Sequence, residues 1–280
     1  MHVSNEAQRR AAATLRELHA DGILVLPNAW DAGSAALIAT AGAKAIATTS
    51  AGISWALGRP DGQALTRAEM TAVIKRIVAT VDVPVTADIE GGYGSGPEDV
   101  AASVEAVIAA GAVGVNLEDS RSPGGPLYDT AEQAARLSAG RAAADRAGLP
   151  ELVLNARTDV FLFQIGAADG RLTDVLERAG AYAEAGADCL FVPGLVDLDT
   201  LATLTAKSPL PVNVMAGPGA PDVAAFQAAG VRRVSLGGAI SQAAYSLARR
   251  AAAEVLTHGT YTALSEVDPF GAINGAFSRA

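Results

Sequence analysis

Eight short apolar runs, each followed by an alanine-rich segment of helical period, constrain this 280-residue chain more than any other feature. They are ILVLP from Ile23, KAIATTS from Lys44, VPVTADIE from Val83, AVGVNLED from Ala112, LVLNARTD from Leu152, DCLFVP from Asp188, LPVNVM from Leu210 and RRVSLGG from Arg232. Their apolar residues are consecutive instead of alternate, as in parallel strands covered on both faces. Between them lie helix signals: a Thr66/Glu69 capping box, and Pro97 at a first helical position with Glu98 and Asp99 behind it. Gly42, Gly111, Gly186 and Gly230 each follow an alanine and precede the next run, where a left-handed residue ends a helix. Eight such units predict a closed (β/α)8 barrel in preference to an open doubly wound sheet. The expected organisation is an N-terminal helix in 1–22, the barrel in 23–258 and a C-terminal tail in 259–280.

Composition narrows the function. A formal charge of −9 without basic runs excludes nucleic acid and anionic membrane surfaces as partners. No apolar run approaches the roughly 18 residues that span a bilayer, and the N-terminal stretch alternates charge with alanine, so a cytoplasmic protein is expected. Three histidines, His2, His19 and His258, all in peripheral helical segments, give little material for a zinc site or a His-based triad. The single cysteine, Cys189, reads as a structural thiol within a buried strand.

In a barrel of this kind the chemistry sits at the C-terminal strand ends and the loops that follow them. Those positions hold Asn28 and Asp31, Ser50, Asp88 and Glu90, Glu118 and Asp119, Arg157 and Asp159, and Asn213. Single polar residues at strand ends are commonly caps, whereas carboxylates converging on one mouth repel unless protonated or neutralised. For Asp88, Glu90 and Glu118 a divalent cation is the economical answer, and oxygen donors without His or Cys favour Mg²⁺ or Mn²⁺. The competing reading is a hydrated acidic rim paired with Arg157 and Arg121. Gly91–Gly96 fits close backbone approach better than a phosphate cradle; Gly237 and Gly238 are a weak phosphate-corner signal. The loop DSRSPGGPLYD after the fourth run reads equally as a substrate lid or a plain flexible loop.

Six motifs in order carry a resemblance: PNAWDAGSA (Pro27 to Ala35), TSAGISWALGRPDG (Thr49 to Gly62), ADIEGGYG (Ala87 to Gly94), NLED (Asn116 to Asp119), NARTD (Asn155 to Asp159) and EAGADCLFVPG (Glu184 to Gly194). On these the chain resembles the isocitrate lyase/phosphoenolpyruvate mutase superfamily, from about Pro27 to Gly238. The resemblance implies a TIM barrel of the phosphoenolpyruvate-binding type that is Mg²⁺-dependent. Its chemistry would be C–C or P–C bond breakage through a metal-bound, enolate-like pyruvyl species. It implies Asp88 as direct metal ligand, with Asp61, Glu90 and Glu118 holding metal-bound waters. Arg157 would be the carboxylate clamp and, with Glu118 and Asp61, the catalytic set. Ser50, Ala51 and Gly52, with Asp88, Arg157 and Asn213, would bind substrate. The superfamily exchanges its eighth helix between subunits, which implies a homotetramer; Tyr261, Phe270 and Phe277 in the tail fit burial against a neighbour.

The departures from the resemblance bear on the reaction. The lid carries SRSPGGP where isocitrate and methylisocitrate lyases have a Cys-Gly-His proton-donor segment. Val192-Pro193-Gly194 replaces a Glu-bearing segment, and Val214-Met215 replaces a polar pair after Asn213. Groups that recognise a tricarboxylate are therefore missing. So is the lid Lys of phosphoenolpyruvate mutases, which leaves Arg121 as the nearby cation; the usual Asp-x-Asp reads Asp88-Ile89-Glu90. The expected activity is a Mg²⁺-dependent C–C lyase acting on a small 2-oxo or 2-hydroxy dicarboxylic acid. The alternatives are P–C chemistry of the phosphoenolpyruvate mutase or carboxyvinyl-carboxyphosphonate phosphorylmutase kind, a catalytically degenerate metabolite-binding barrel, and a flavin- or phosphosugar-binding barrel resting only on Gly237 and Gly238. Tyr93, Ser120 and Arg121 are proton-transfer candidates by position, none of them assigned.

Overall fold

The computed structural model describes residues 6–20 and 22–277; His2 and the ends of the expected first and last segments lie outside them. After α1 (Glu6–Ala20) come β1 (Leu24–Leu26), β2 (Asn28–Ala29), α2 (Ala32–Thr40), β3 (Ile46–Thr48), α3 (Ser50–Ala56), α4 (Arg67–Thr80), β4 (Val85–Asp88), α5 (Pro97–Ala109), β5 (Gly114–Glu118) and α6 (Thr130–Arg146). The order continues through β6 (Val153–Arg157), α7 (Arg171–Glu184), β7 (Cys189–Phe191), α8 (Leu198–Lys207), β8 (Val212–Met215), α9 (Val223–Ala228), β9 (Arg233–Ser235), α10 (Ala239–His258) and α11 (Phe270–Gly275).

All eight apolar runs form strands, and the strands pair in parallel in the order β1-β9-β8-β7-β6-β5-β4-β3-β2. β1 pairs with β9 and β2 with β3, so the two are halves of one barrel strand interrupted at Pro27, which has no N–H to donate. Asn28 fastens this seam. Its Nδ2 donates to Thr48 O at 2.9 Å and its Oδ1 accepts from Leu236 N at 2.9 Å. The result is a nearly closed TIM barrel.

The helix signals hold. Thr66 and Glu69 cap α4 reciprocally, Pro97 opens α5, and Gly42, Gly111, Gly186 and Gly230 all have φ between +84° and +97°. Asp31 is the N-cap of α2, accepting from Ser34 N, which removes it from the functional candidates. Such a cap is worth about 1 kcal/mol.

α1 is tied to the N-terminal end of the barrel. Gln8 Nε2 donates to Ile108 O and Ala112 O, and Arg16 pairs with Asp188 at 2.7 Å. His19 is buried there, not peripheral, because Arg233 and the Leu15 carbonyl receive its ring. With that end tied by α1, the open mouth is the end where Asp88, Glu118 and Arg157 finish their strands. Among the described residues no helix is long and apolar enough to cross a membrane.

Candidate active site

A cavity of about 180 Å³ opens at the C-terminal strand ends, and Ser50, Ala51, Asp61, Asp88, Asn116 and Arg157 line it. Asp88 is the most firmly oriented of these. Its Oδ2 accepts from Ser50 N at 3.0 Å, and its Oδ1 accepts from Asn116 Nδ2 at 3.0 Å and Glu90 N at 3.3 Å. Asn116 is set in turn by Asn155, whose Nδ2 donates to Asn116 Oδ1 at 2.9 Å. Successive strands thus steer one carboxylate into the cavity.

Glu90 and Glu118 stand beside the cavity instead of lining it. Glu90 Oε1 accepts from Gly62 N at 3.1 Å and Gln63 N at 2.5 Å, so it anchors the loop that presents Asp61. Its Oε2 is buried without a hydrogen-bond partner. Gln63, Glu90 and Tyr93 all hold positive φ, a strained backbone for side-chain-bearing residues, gathered at one rim. The Asp61 loop also meets the loop after β5, where a Cβ on Gly62 would lie 2.1 Å from Pro123 Cγ. That loop is a short hairpin bridged between Ser120 and Leu127.

Charge is concentrated here. Burial pushes the Glu90 carboxyl up to about 7, with Asp88 and Asp61 adding to the shift against the pull of the Gln63 N–H. Burial and Asp88 raise Asp61 too, and burial raises Glu118 against the opposing pull of Arg157. Arg157 Nη1 lies 3.0 Å from Glu118 Oε2 and its Nε 2.6 Å from Asp159 Oδ1, so two carboxylates of the chain hold this guanidinium in place at the cavity.

Other expectations distribute unevenly. Gly52 does not face the cavity; a Cβ there would meet Trp30 at 2.7 Å. Asn213 is fully buried outside the lining and accepts from Ser235 Oγ at 3.2 Å. Arg121 turns away to Glu132 and stacks on Tyr128 at 4.2 Å, so the acidic rim is paired by Arg157 alone of the two. Ser120 is committed to Asp159, and the Tyr93 hydroxyl is buried, its ionisation opposed by burial and by Glu90. Gly91, Gly94 and Ser95 turn their carbonyls to the buried Arg136, which bears out close backbone approach over a phosphate cradle. Sequence reasoning missed Arg233, which lines the cavity from β9; an Arg opening an apolar strand carries no sign of facing inward.

Among the described residues no three His, Cys, Asp or Glu side chains converge closely enough to cage a metal ion. The carboxylates that line the cavity, Asp88 and Asp61, are hard oxygen donors too few to cage an ion, a set that suits a small hard cation keeping most of its water. Magnesium prefers this mode. The buried Glu90 Oε2, which has no hydrogen-bond partner, is the observation that supports the fit, and the crowding of Asp61, Asp88 and Glu90, which raises the Asp61 and Glu90 carboxyls, agrees with it.

The family model described as phosphoenolpyruvate phosphomutase matches residues 15–256. The chain belongs to this family. A Burkholderia cenocepacia J2315 protein solved as a candidate lyase/mutase superposes with a TM-score of 0.90 at 38% identity, covering 97% of this chain and 98% of that one. Oxaloacetate acetylhydrolase in complex with its product oxalate gives a TM-score of 0.82 at 26% identity, over 96% and 94% of the two chains. 2,3-Dimethylmalate lyase, a member of the PEP mutase/isocitrate lyase superfamily, gives 0.81 at 26% identity, over 95% and 94%. As a phosphoenolpyruvate phosphomutase family member the chain is an enzyme of the lyase and mutase class.

Proposed function

We propose that this protein is a Mg²⁺-dependent carbon–carbon lyase acting on a small 2-oxo or 2-hydroxy dicarboxylic acid by way of an enolate of the smaller, pyruvate- or oxalate-like fragment. The observation that carries the reading is that the Asp88 and Asp61 carboxylates and the Arg157 guanidinium line one small cavity. Two relatives of the same fold act, by name, on oxaloacetate and on dimethylmalate, both of this substrate class.

Arg157 offers a planar fork to a substrate carboxylate, and Glu118 and Asp159 fix its plane. Ser50 and Ala51, at the start of α3, border the reacting end. Asp88 would hold the metal directly, and Asp61, Glu90 and Glu118 would hold its waters. When bound, the ion supplies Lewis acidity toward a developing oxyanion. The hairpin at 120–127 meets the Asp61 loop where Pro123 packs on Gly62. The subunits would assemble as a homotetramer through α10 and the tail.

P–C bond chemistry is the second reading, favoured by the phosphomutase description of the matching family model. A magnesium-dependent screen of oxaloacetate, substituted malates and phosphonopyruvate, following release of pyruvate, glyoxylate or oxalate, separates the two. Asp88→Ala should lose Mg²⁺ affinity by calorimetry and all turnover together. Full Mg²⁺ affinity in that variant removes Asp88 from the metal site.

A further inference from the structure

The barrel interior holds a second guanidinium under the cavity. Arg233 opens β9, is 2% exposed, and borders the same cavity as Arg157. Its Nε lies 3.3 Å from Ser235 Oγ and its Nη1 3.5 Å from His19 Nε2. Among the described residues no Asp or Glu forms an ion pair with it, in contrast to Arg157 and Arg178, each of which is held by two carboxylates. Burial outweighs the attraction of Asp88, which acts on Arg233 without pairing; an ion taken out of water with so little counter-charge is strongly unfavourable, so a positive group kept in this way is set for an anion that arrives from outside.

Register fixes where that anion would lie. Arg157 pairs with Phe191, Phe191 with Asn213, and Asn213 with Arg233, so the two arginines share one row of the sheet, three strands apart. At ~4.8 Å per strand their backbones are about 14 Å apart along the wall. Both side chains border one cavity of about 180 Å³, room for a molecule of a few carbon atoms. Arg157 ends its strand and Arg233 begins its own, so on strands inclined to the barrel axis Arg233 lies deeper, on the side of α1. Two more polar atoms nearby are buried without partners, Thr86 Oγ1 in the lining and Asn213 Nδ2 beside Arg233 in register.

We propose that Arg233, steadied by Ser235, forms an anion subsite on the cavity floor that binds the second carboxylate of a diacid whose first carboxylate is held by Arg157. This rests on the diacid reading above and adds to it the residue that selects two charges over one.

The test uses unreactive probes that differ by one carboxylate, succinate and butanoate, titrated calorimetrically into the full-length Mg²⁺-loaded protein and again in chelator. Succinate should bind the wild type more tightly than butanoate under both conditions. Arg233→Met should weaken succinate by roughly 30-fold or more while leaving butanoate within about threefold, the pattern expected when one member of a buried charge pair is removed. Arg233→Lys should retain part of the preference. Should Arg233→Met fail to fold, Ser235→Ala takes its place, with a smaller loss confined to succinate. Equal weakening of both probes, a preference that survives in a folded Arg233→Met, or no preference in the wild type overturns the proposal. Absence of lyase turnover with the succinate preference intact overturns only the proposed reaction.

Discussion

Ser120 Oγ donates to Asp159 Oδ2 at 2.6 Å, and the other oxygen of that carboxylate accepts from Arg157 Nε at 2.6 Å. The base of the hairpin loop is thus one carboxylate away from the cavity guanidinium. Behind them Asp119 Oδ1 accepts from Asp159 N, while its Oδ2 accepts from Arg178 Nη1 and the Tyr182 hydroxyl. Arg178 Nη1 also reaches Tyr128 O, so one side chain braces both ends of the loop. Removing the Ser120 hydroxyl leaves Asp159 with one fewer donor and Arg157 less firmly oriented. Ser120→Ala is expected to lower kcat/KM by about three- to tenfold, part of the roughly 1.5–3 kcal/mol of a hydrogen bond to a charged group because the effect reaches substrate only through Arg157, and Ser120→Thr to restore most of it. Steady-state kinetics with unchanged Mg²⁺ affinity is the check; an unaltered kcat/KM would show that the loop base and Arg157 act separately.

Arg157→Lys is expected to be damaging in spite of the retained charge. An ammonium cannot serve Glu118, Asp159 and a substrate carboxylate at once from one plane. A loss of about 1.4 kcal/mol already lowers kcat/KM tenfold, and at least that much is expected. Mg²⁺ binding should persist. Wild-type kinetics on the true substrate would take Arg157 out of the site.

Isocitrate and methylisocitrate are expected to be turned over negligibly. The hairpin contains neither Cys nor His, and the chain's one cysteine, Cys189, is buried in β7 with its thiol pushed up to about 12 by burial. A proton donor and the partners of the extra carboxylate, both of which act in the transition state, are missing. Introducing a cysteine into the hairpin alone should not rescue activity. Efficient magnesium-dependent cleavage of either compound by purified protein would refute this.

The architecture was legible because burial on both faces leaves continuous apolar runs, and because several helices end on a glycine that the backbone requires. β2 was not, since two residues after a proline carry no periodicity, and their pairing depends on β3. Carboxylates at strand ends were legible as a group because parallel strands bring their ends to one mouth. Which of them faces the cavity was not: Asp88 points in, while Glu90 is drawn aside by the Gly62 and Gln63 N–H groups. Arg121 turned outward for a similar reason, the pull of Glu132 at the start of α6. Arg233 needed the register of four strands to place it.

His19 should make the fold acid-sensitive. Burial and the Arg233 charge lower it to about 4, and its neutral ring fits both neighbours, with Nδ1–H donating to Leu15 O at 2.7 Å and Nε2 facing Arg233. Between about 4 and 6.5 the unfolded chain binds a proton there that the folded chain does not, so stability rises with pH. The contribution is fully present above 6.5 and is lost as the pH falls toward 4. The upper limit is roughly 3 kcal/mol, since each tenfold difference in proton affinity between the folded and unfolded chain corresponds to about 1.4 kcal/mol. Urea midpoints across this window should fall less steeply in His19→Gln than in the wild type; parallel slopes would mean that His19 is not protected.

The tail should be an association element. α10 exposes Leu256 at 87%, and beyond it Tyr261 is 68% and Phe270 84% exposed, large apolar side chains of the kind that association surfaces cover. The segment nevertheless begins in a defined conformation. Glu254 accepts from Thr260 Oγ1, Thr262 N and Ala263 N, which also hold its carboxyl down to about 2, and the chain then forms a short 3-10 turn at Thr262–Leu264. An ordered start carrying exposed aromatic residues favours docking onto a second copy over fluctuation in water. Truncation after Gly259 is therefore expected to lower the mass measured by light scattering and to reduce the thermal midpoint, because association that is coupled to folding adds to stability. The full-length midpoint should also rise with protein concentration, whereas that of the truncated chain should not. A full-length protein that remains monomeric at micromolar concentration, with the tail resonances sharp in NMR spectra, would contradict this directly.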